Sequence, residues 1–177
     1  QATTDTDVMT LFLSSLAKQL DRESASWREE STILIDNAAR HTNAIMKERL
    51  AKMGLPIERL VIATNANDIL TRTLESGAYE TRGVMPTIAP SMDIQISSNF
   101  ERLLFEVHGR DGGEIRRLMA RLGQSGGFTL AGPALEAIRT RFDAGRTSEA
   151  EISATIDRTL QQSGYLLDPH TAIGLHV

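Results

Sequence analysis

"RLVIATNANDILTRTLE", residues 59–75, is the stretch that decides the fold class of this chain. Its first six residues include a short apolar run with β-branched side chains, and such runs are typical of buried strands. A helical pattern, "NDILTRTLE", follows this run directly. A buried strand that leads straight into a helix is the building unit of a parallel sheet with helical crossovers, so the sequence predicts an α/β fold.

A second strand and two helices are predicted before this stretch. Apolar residues recur with a helical period in residues 4–22, which predicts an amphipathic helix. "STILID", residues 31–36, has the composition of another buried strand, and a further helix is expected from Thr42 to a stop at Gly54. The alternation of helices and strands favours a small, mostly parallel sheet.

The C-terminal half is predicted to be rich in helices. Residues 76–98 contain two glycines and two prolines without a sustained period, so we expect mostly loop there. Ser98 and Asp111 each precede a glutamate by three residues, which is the pattern of a capping box at a helix start, and "SEAE" at residue 148 is expected to open a last long helix. Two other helices are predicted, one in "PALEAIRTRF" (133–142) and one after the proline turn of "YLLDPHTAIG" (165–174), and Gly164 is expected to stop the helix that starts at Ser148.

Composition narrows the functional classes. The net charge of −4 argues against the basic face that a binder of phosphate backbones needs, so nucleic acid is an unlikely partner. No run approaches eighteen apolar residues and "QATTDTDVMT" is acidic, so we expect a soluble, cytoplasmic protein without a membrane partner. The absence of cysteine removes disulfides, thiolate metal sites and thiol nucleophiles.

Candidates for catalysis and metal binding are few. The three lysines, Lys18, Lys47 and Lys52, lie on the predicted polar faces of helices, where an ammonium group stays solvated. The four histidines are too far apart in sequence for a recognisable metal site, and His108 is expected to end a helix. We therefore predict neither a catalytic residue nor a metal ligand.

Polar residues after the 59–64 strand are candidates for ligand binding. Asn65, Asn67 and Asp68 lie where the carboxyl end of a parallel strand meets a helix N-terminus, which is the usual ligand site of such sheets. Capping of the helix by Asn67 or Asp68 explains the same residues equally well. Ser91 and Asp93 in the loop "PSMDIQISSNFE" are also candidates, either for ligand binding or for a structural role.

Two further motifs have a functional and a structural interpretation. "GQSGGF", residues 123–128, has the glycines of a phosphate-binding loop, but a helix cap followed by a loop is the favoured interpretation. In "DPHTA", residues 168–172, a proline precedes the polar side chains of His170 and Thr171. That turn either orients a hydroxyl group into a cleft or simply begins a helix.

Four segments together closely resemble the C-terminal part of threonine synthase. They are "AKMGLPIERLVIATNANDILTRTLESGAYE", "PSMDIQISSNFERLLFE", "QSGGFTL" and "GYLLDPHTAIG", and the resemblance extends over residues 50–177. It implies part of the fold-type II architecture of pyridoxal-phosphate enzymes, whose cofactor lies between two lobes. It also implies O-phosphohomoserine as the substrate that is converted to threonine.

The same resemblance implies roles for individual residues. Thr171 is the candidate for the hydroxyl group that hydrogen-bonds the pyridine nitrogen of the cofactor, and Asn67, Asp68 and Ser91 are expected near the substrate. The family's cofactor-binding lysine and its glycine-rich phosphate loop precede the matched region. We therefore expect the chain to be catalytically incomplete by itself, without the two main anchors for pyridoxal phosphate.

Residues 8–50 resemble a different family, the DDE-type transposases. The matching motif is "LIDNAARH", and the resemblance implies that Asp36 is one of three metal-binding carboxylates. Both families have a sequence similar to "LAKMGLPI" at the corresponding position. This predicts a chimeric or rearranged chain with a transposase-like piece at 1–50 and a threonine-synthase-like region at 51–177.

The sequence thus supports one leading function and two alternatives. The leading hypothesis is a threonine-synthase-like region that lacks part of the catalytic machinery. The first alternative is a remnant of a DNA-processing nuclease centred on Asp36, with Asp68 and Asp93 as the carboxylates to inspect nearby. The second is a non-catalytic interaction domain that associates, for instance with itself, through apolar surface that a missing lobe would cover.

Overall fold

The structure is a computed structural model that describes residues 60–177. The helices predicted at 4–22 and 42–54 and the strand predicted at 31–36 lie outside the described residues. The predicted boundary near residue 50 lies outside them as well.

Four strands and six α-helices make up the described region. The strands are β1 (Leu60–Thr64), β2 (Ala78–Glu80), β3 (Gly127–Thr129) and β4 (Phe142–Arg146). The helices are α1 (Ile69–Ser76), α2 (Phe100–Val107), α3 (Gly112–Ser125), α4 (Gly132–Arg139), α5 (Glu149–Ser163) and α6 (Pro169–His176). The segment that follows β2, which we call the 81–97 loop, contains a single turn of 3-10 helix at Pro90–Met92.

The strands form two small sheets. β1 pairs with β4 in parallel, with Leu60 opposite Phe142 and Thr64 opposite Arg146, which confirms the prediction of a parallel sheet. β2 pairs with β3 in antiparallel fashion, and this pair was not predicted. A side chain at Gly127 would place its Cβ atom 2.6 Å from the carbonyl oxygen of Tyr79, so only glycine permits this close approach of the two strands.

The structure confirms two of the three helix starts predicted at Ser98, Asp111 and Ser148. Ser148 and Glu151 form a full capping box, because each side chain bonds the other residue's backbone amide. Asp111 also caps its helix, with Oδ1 accepting from the amide of Gly113 at 2.7 Å. The prediction for Ser98 was wrong, since α2 begins after Asn99 and no side chain caps it.

Two apolar clusters hold the described region together. The larger one contains a stack in which the Tyr79 ring lies 5.4 Å from the Phe100 ring and 4.9 Å from the Phe128 ring, between centroids. Burial of each such ring stabilises the fold by roughly 1.5–3 kcal/mol. The smaller cluster joins the 81–97 loop to α5 and α6; its buried members are Ala89, Ile152, Leu167, Ala172 and Ile173.

Candidate functional site

Buried amide side chains at the carboxyl end of β1 hold the 81–97 loop in place. The Nδ2 atom of Asn65 donates to Asp93 Oδ1 at 2.7 Å and to Thr87 Oγ1 at 2.9 Å. The Nδ2 atom of Asn67 donates to the same Asp93 oxygen at 3.0 Å and to the Met85 carbonyl at 2.8 Å. We call these four side chains the amide–carboxylate network: Asn65, Asn67, Thr87 and Asp93.

Asp93 is the acceptor on which this network converges. Besides the two amides, Thr87 donates to it twice, from its hydroxyl group at 2.6 Å and from its backbone amide at 2.8 Å. Burial raises the pKa of Asp93, but the bonds from Thr87, Asn65 and Asn67 outweigh this effect and hold the pKa below its usual value. The carboxylate is therefore ionised at neutral pH and used in fixing the loop.

Asp68 is held by two arginines. Its Oδ1 accepts from Arg72 Nε at 2.8 Å, and its Oδ2 accepts from Arg146 at 2.6 Å. Burial raises the pKa of Asp68, but the hydrogen bonds and charges of the two guanidinium groups lower it by more. The net shift of the pKa is therefore downward. Although Asp68 occupies the N-cap position of α1, its side chain makes no capping bond.

Arg146 reaches Asp68 because β4 ends beside β1. Thr64 is opposite Arg146 in the parallel register, and the hydroxyl groups of Thr64 and Thr71 lie 3.0 and 2.9 Å from the Gly145 carbonyl oxygen. Sequence reasoning missed Arg146 because residue 142 was assigned to the end of a helix. A strand assignment for "FDAGR" would have brought Arg146 to this edge.

Asp168 organises a second polar corner at the start of α6. Its Oδ1 accepts from the backbone amides of His170 at 2.9 Å and Thr171 at 3.2 Å, and its Oδ2 accepts from the Thr171 hydroxyl group. The hydrogen bond from the Thr171 hydroxyl group lowers the pKa of Asp168 most. Burial raises this pKa, but the further bonds from Thr171 and His170 keep it below its usual value. We call these three residues the Asp168 corner: Asp168, His170 and Thr171.

The two sides of the His170 ring differ. Its Nδ1 atom lies 3.1 Å from Asp168 Oδ1. Because a carboxylate accepts, this nitrogen carries a hydrogen and donates a hydrogen bond to Asp168. Its Nε2 atom is buried and has no hydrogen-bond partner among the described residues. The Thr171 side chain, by contrast, is exposed.

The candidate ligand residues approach one another through the smaller apolar cluster. Ala89 and Met92, on either side of Ser91, pack in this cluster with Ala172, the neighbour of Thr171. Ala63 of β1, two residues before Asn65, packs against the same cluster. The segments that carry Asn67, Ser91 and Thr171 therefore converge, and Ser91 is exposed among them.

No group of three or more His, Asp or Glu side chains among residues 60–177 could hold a metal ion. Asp68 and Asp93, the candidate partners of Asp36 in the nuclease hypothesis, are held by arginines and amides respectively. Asp36 itself lies outside the described residues. No helix in this part of the chain is long and apolar enough to cross a membrane.

Known proteins share both the sequence and the backbone of this region. A threonine synthase from Pseudomonas aeruginosa is 43% identical over 123 residues, which are 70% of this chain and 26% of that protein. The crystal structure of a PLP-bound threonine synthase from Brucella melitensis matches with a TM-score of 0.70 and 62% identity, over 75% of this chain and 29% of that chain. The C-terminal region is thus similar to threonine synthase.

Yeast threonine synthase supports the same relationship. Its crystal structure matches with a TM-score of 0.68 and 38% identity, over 80% of this chain and 30% of that chain. The α/β fold class and the partial architecture of a pyridoxal-phosphate enzyme are confirmed by these matches. The chain spans about a quarter of the length of the curated threonine synthases that it matches, 26% and 27% for two of them. No family model matches the chain.

The described residues fit only part of pyridoxal phosphate. The exposed Thr171 hydroxyl group is available to a polar ring atom, but residues 60–177 contain no lysine. The "GQSGGF" segment forms the end of α3 and the start of β3. The Gly126 amide donates to the Leu122 carbonyl at 3.0 Å, and Gly127 is opposite Glu80 in the register of β2 and β3. This confirms the cap interpretation, with β3 following the cap in place of the expected loop. Residues 60–177 therefore contain no lysine amine that could bind the cofactor covalently.

Proposed function

We propose that residues 60–177 shape one side of a threonine-synthase-like active cleft that acts on O-phosphohomoserine. The observation that carries this proposal is the convergence of the β1 end, the 81–97 loop and the start of α6 on one apolar cluster, in a region similar to threonine synthase. Pyridoxal phosphate, where bound, supplies the electron sink that such chemistry needs. The residues of this region orient the ligand and exclude water.

Three side chains have proposed contacts. The Thr171 hydroxyl group is proposed to meet the ring nitrogen of the cofactor, and the Asp168 carboxylate fixes its rotation. Ser91 is exposed and, among the described residues, has no hydrogen-bond partner, so its hydroxyl group is free to meet the substrate. Asn67 and Asp68 are proposed to lie near the substrate and to act by holding the cleft wall, because their own bonds are made within the protein.

The 177-residue chain is proposed to be catalytically incomplete. An amine must position the cofactor covalently, and the lysines, Lys18, Lys47 and Lys52, all precede the described region. With pyridoxal phosphate and O-phosphohomoserine, the purified chain should release no phosphate above the blank. Phosphate release that depends on both protein and cofactor would overturn this proposal.

A labelling experiment separates incidental from specific cofactor attachment. The chain is mixed with pyridoxal phosphate, reduced with borohydride, digested and analysed by mass spectrometry, with the urea-denatured chain as a control. We expect the three lysines and the terminal amine to be labelled to similar extents in both samples. Strong labelling of a single lysine in the native chain only, lost in the matching Lys→Arg variant, would show a specific site and contradict the proposal.

Association through an apolar face is a second proposed function. Four large apolar side chains of the 81–97 loop are exposed although the loop backbone is fixed by the amide–carboxylate network; they are Val84, Met85, Ile88 and Ile96. Apolar groups on a fixed surface favour an interaction site. Sedimentation velocity over a range of concentrations should show self-association that Met85→Ser together with Ile96→Ser weakens. A monomer at every concentration would exclude self-association.

The remaining sequence-based expectations keep the status of predictions. These are the division at residue 50, the chimeric origin, the metal-binding role of Asp36 and the cytoplasmic location. A variant Asp36→Asn tests the nuclease alternative directly, because a nicking activity that requires Mg²⁺ or Mn²⁺ should vanish in it. Absence of such activity in the unmodified chain would remove this alternative.

A further inference from the structure

A cleft on α3 lies outside the proposed active region. One wall is a face of α3 that carries Glu114, Leu118 and Arg121, with the α3 cap Asp111 at one end. The other wall is the connection from β3 to α4 at residues 129–131. The volume is about 430 Å³, within the range of roughly 300–1,000 Å³ that is usual for small-ligand sites.

The two ends of this α3 cleft differ in charge. The Oδ1 atom of Asp111 accepts both capping amides, and its Oδ2 atom has no partner among the described residues. Glu114 bonds Arg117 through Oε2, which leaves Oε1 available. At the opposite end, the Arg121 side chain makes no hydrogen bond or ion pair with the described residues and is exposed. The cleft therefore presents free carboxylate oxygens at one end and a free guanidinium group at the other.

The spacing of these groups sets the length of a ligand that satisfies both ends. Glu114 and Arg121 are separated by seven residues on one helix, which corresponds to about 10 Å along the axis. A free α-amino acid carries both of its charges on one carbon atom and is too short. An extended peptide of about three residues spans roughly 10 Å between its ends.

The middle of the cleft favours small apolar side chains. Leu118 and Leu130 are buried core residues whose exposed edges line it, together with Ala131. His108 also lines the cleft, and its orientation is fixed because Nδ1 donates to the Leu104 carbonyl at 2.8 Å. Its Nε2 atom therefore remains available as an acceptor for a peptide amide.

We propose that the α3 cleft binds a short zwitterionic peptide, with its carboxylate at Arg121 and its ammonium group at Asp111 and Glu114. This site is independent of the proposed catalytic function, since none of its residues belongs to the segments that converge on the active cleft. The chemistry of recognition is charge complementarity at two ends of a shallow apolar cleft.

The test uses the full chain labelled with ¹⁵N and trialanine as the probe. We expect amide resonances of residues 111–121 and 129–131 to shift on addition of millimolar trialanine. Binding should weaken about tenfold or more for trialanine amide, which lacks the carboxylate, and for N-acetyl-trialanine, which lacks the ammonium group. Since these analogues alter the ligand alone, they test the proposal without depending on any protein variant.

Variants localise the two charges. Arg121→Gln should weaken trialanine binding about tenfold and Glu114→Gln by a smaller factor. The control is Arg116→Gln, at an exposed arginine of the same helix outside the cleft lining, and it should not weaken binding because the charge of Arg116 acts on Asp111 at the ammonium end. Circular dichroism verifies that each variant is folded. The proposal is overturned if millimolar trialanine shifts no resonance, if both blocked peptides bind as well as trialanine, or if Arg116→Gln weakens binding as much as Arg121→Gln.

Discussion

The amide–carboxylate network and the Asp168 corner both contain residues that the sequence offered as candidates for ligand binding, and their surroundings differ. In the network, Asn65 and Asn67 are almost fully buried and their amide groups are bonded within the protein. In the Asp168 corner, Thr171 is exposed and its oxygen retains lone pairs for a ligand. Polar residues at the end of a strand can thus serve either to position a loop or to contact a ligand, and burial distinguishes the two.

The largest effect is expected from Asp93→Ala. This change removes the acceptor of both Thr87 donors in a partly buried site. The side-chain amides of Asn65 and Asn67 lose their bonds to Asp93 and keep those to Thr87 and Met85. Each buried donor that is left unsatisfied costs about 1–3 kcal/mol. We therefore expect the free energy of unfolding to fall by roughly 2–4 kcal/mol in total. Urea denaturation measures it.

The matched control for Asp93→Ala is Asp157→Ala. Asp157 is exposed and has no partner among the described residues, so its substitution should change stability by about 0.5 kcal/mol or less. Equal losses in the two variants would show that the network does not stabilise the loop.

Acid should weaken the amide–carboxylate network. The pKa of Asp93 is lower in the folded chain than in the unfolded one, so its stabilising contribution is present above the unfolded pKa and is lost as pH falls through the folded pKa. Denaturation midpoints measured from pH 6 down to about pH 3 should therefore decline less steeply in Asp93→Asn than in the parent. Parallel pH profiles would contradict this assignment.

The network also shows where the sequence was informative. β1, α1 and the helix start at Ser148 were predictable because each depends on residues within a few positions of one another. The partners of Asn67 were not, since Met85 and Asp93 are 18 and 26 positions away in a loop without periodicity. β4 was missed because "FDAGR" contains one large apolar residue and gains its strand conformation from pairing with β1.

Asp168→Ala should have an intermediate effect. The side chain caps α6 through two backbone amides, and loss of such a cap costs about 1 kcal/mol. Asp168→Asn should recover most of this loss, because asparagine also accepts a bond at the N-cap position. Thermal unfolding followed by circular dichroism measures both variants, and a loss as large as that in Asp93→Ala would remove the contrast between the two regions.

The smallest effect on stability is expected from Thr171→Val, and it is the most informative about function. Asp168 keeps its bonds to the amides of His170 and Thr171, and the lost hydroxyl group is exposed, so unfolding free energy should change by about 0.5 kcal/mol or less. A hydroxyl group that contributes little to stability, and whose orientation a carboxylate fixes, is better explained by contact with a ligand than by a role in folding. If Thr171→Val instead lowers stability by as much as Asp168→Ala, the hydroxyl group is part of the cap, and the two regions serve the same structural purpose.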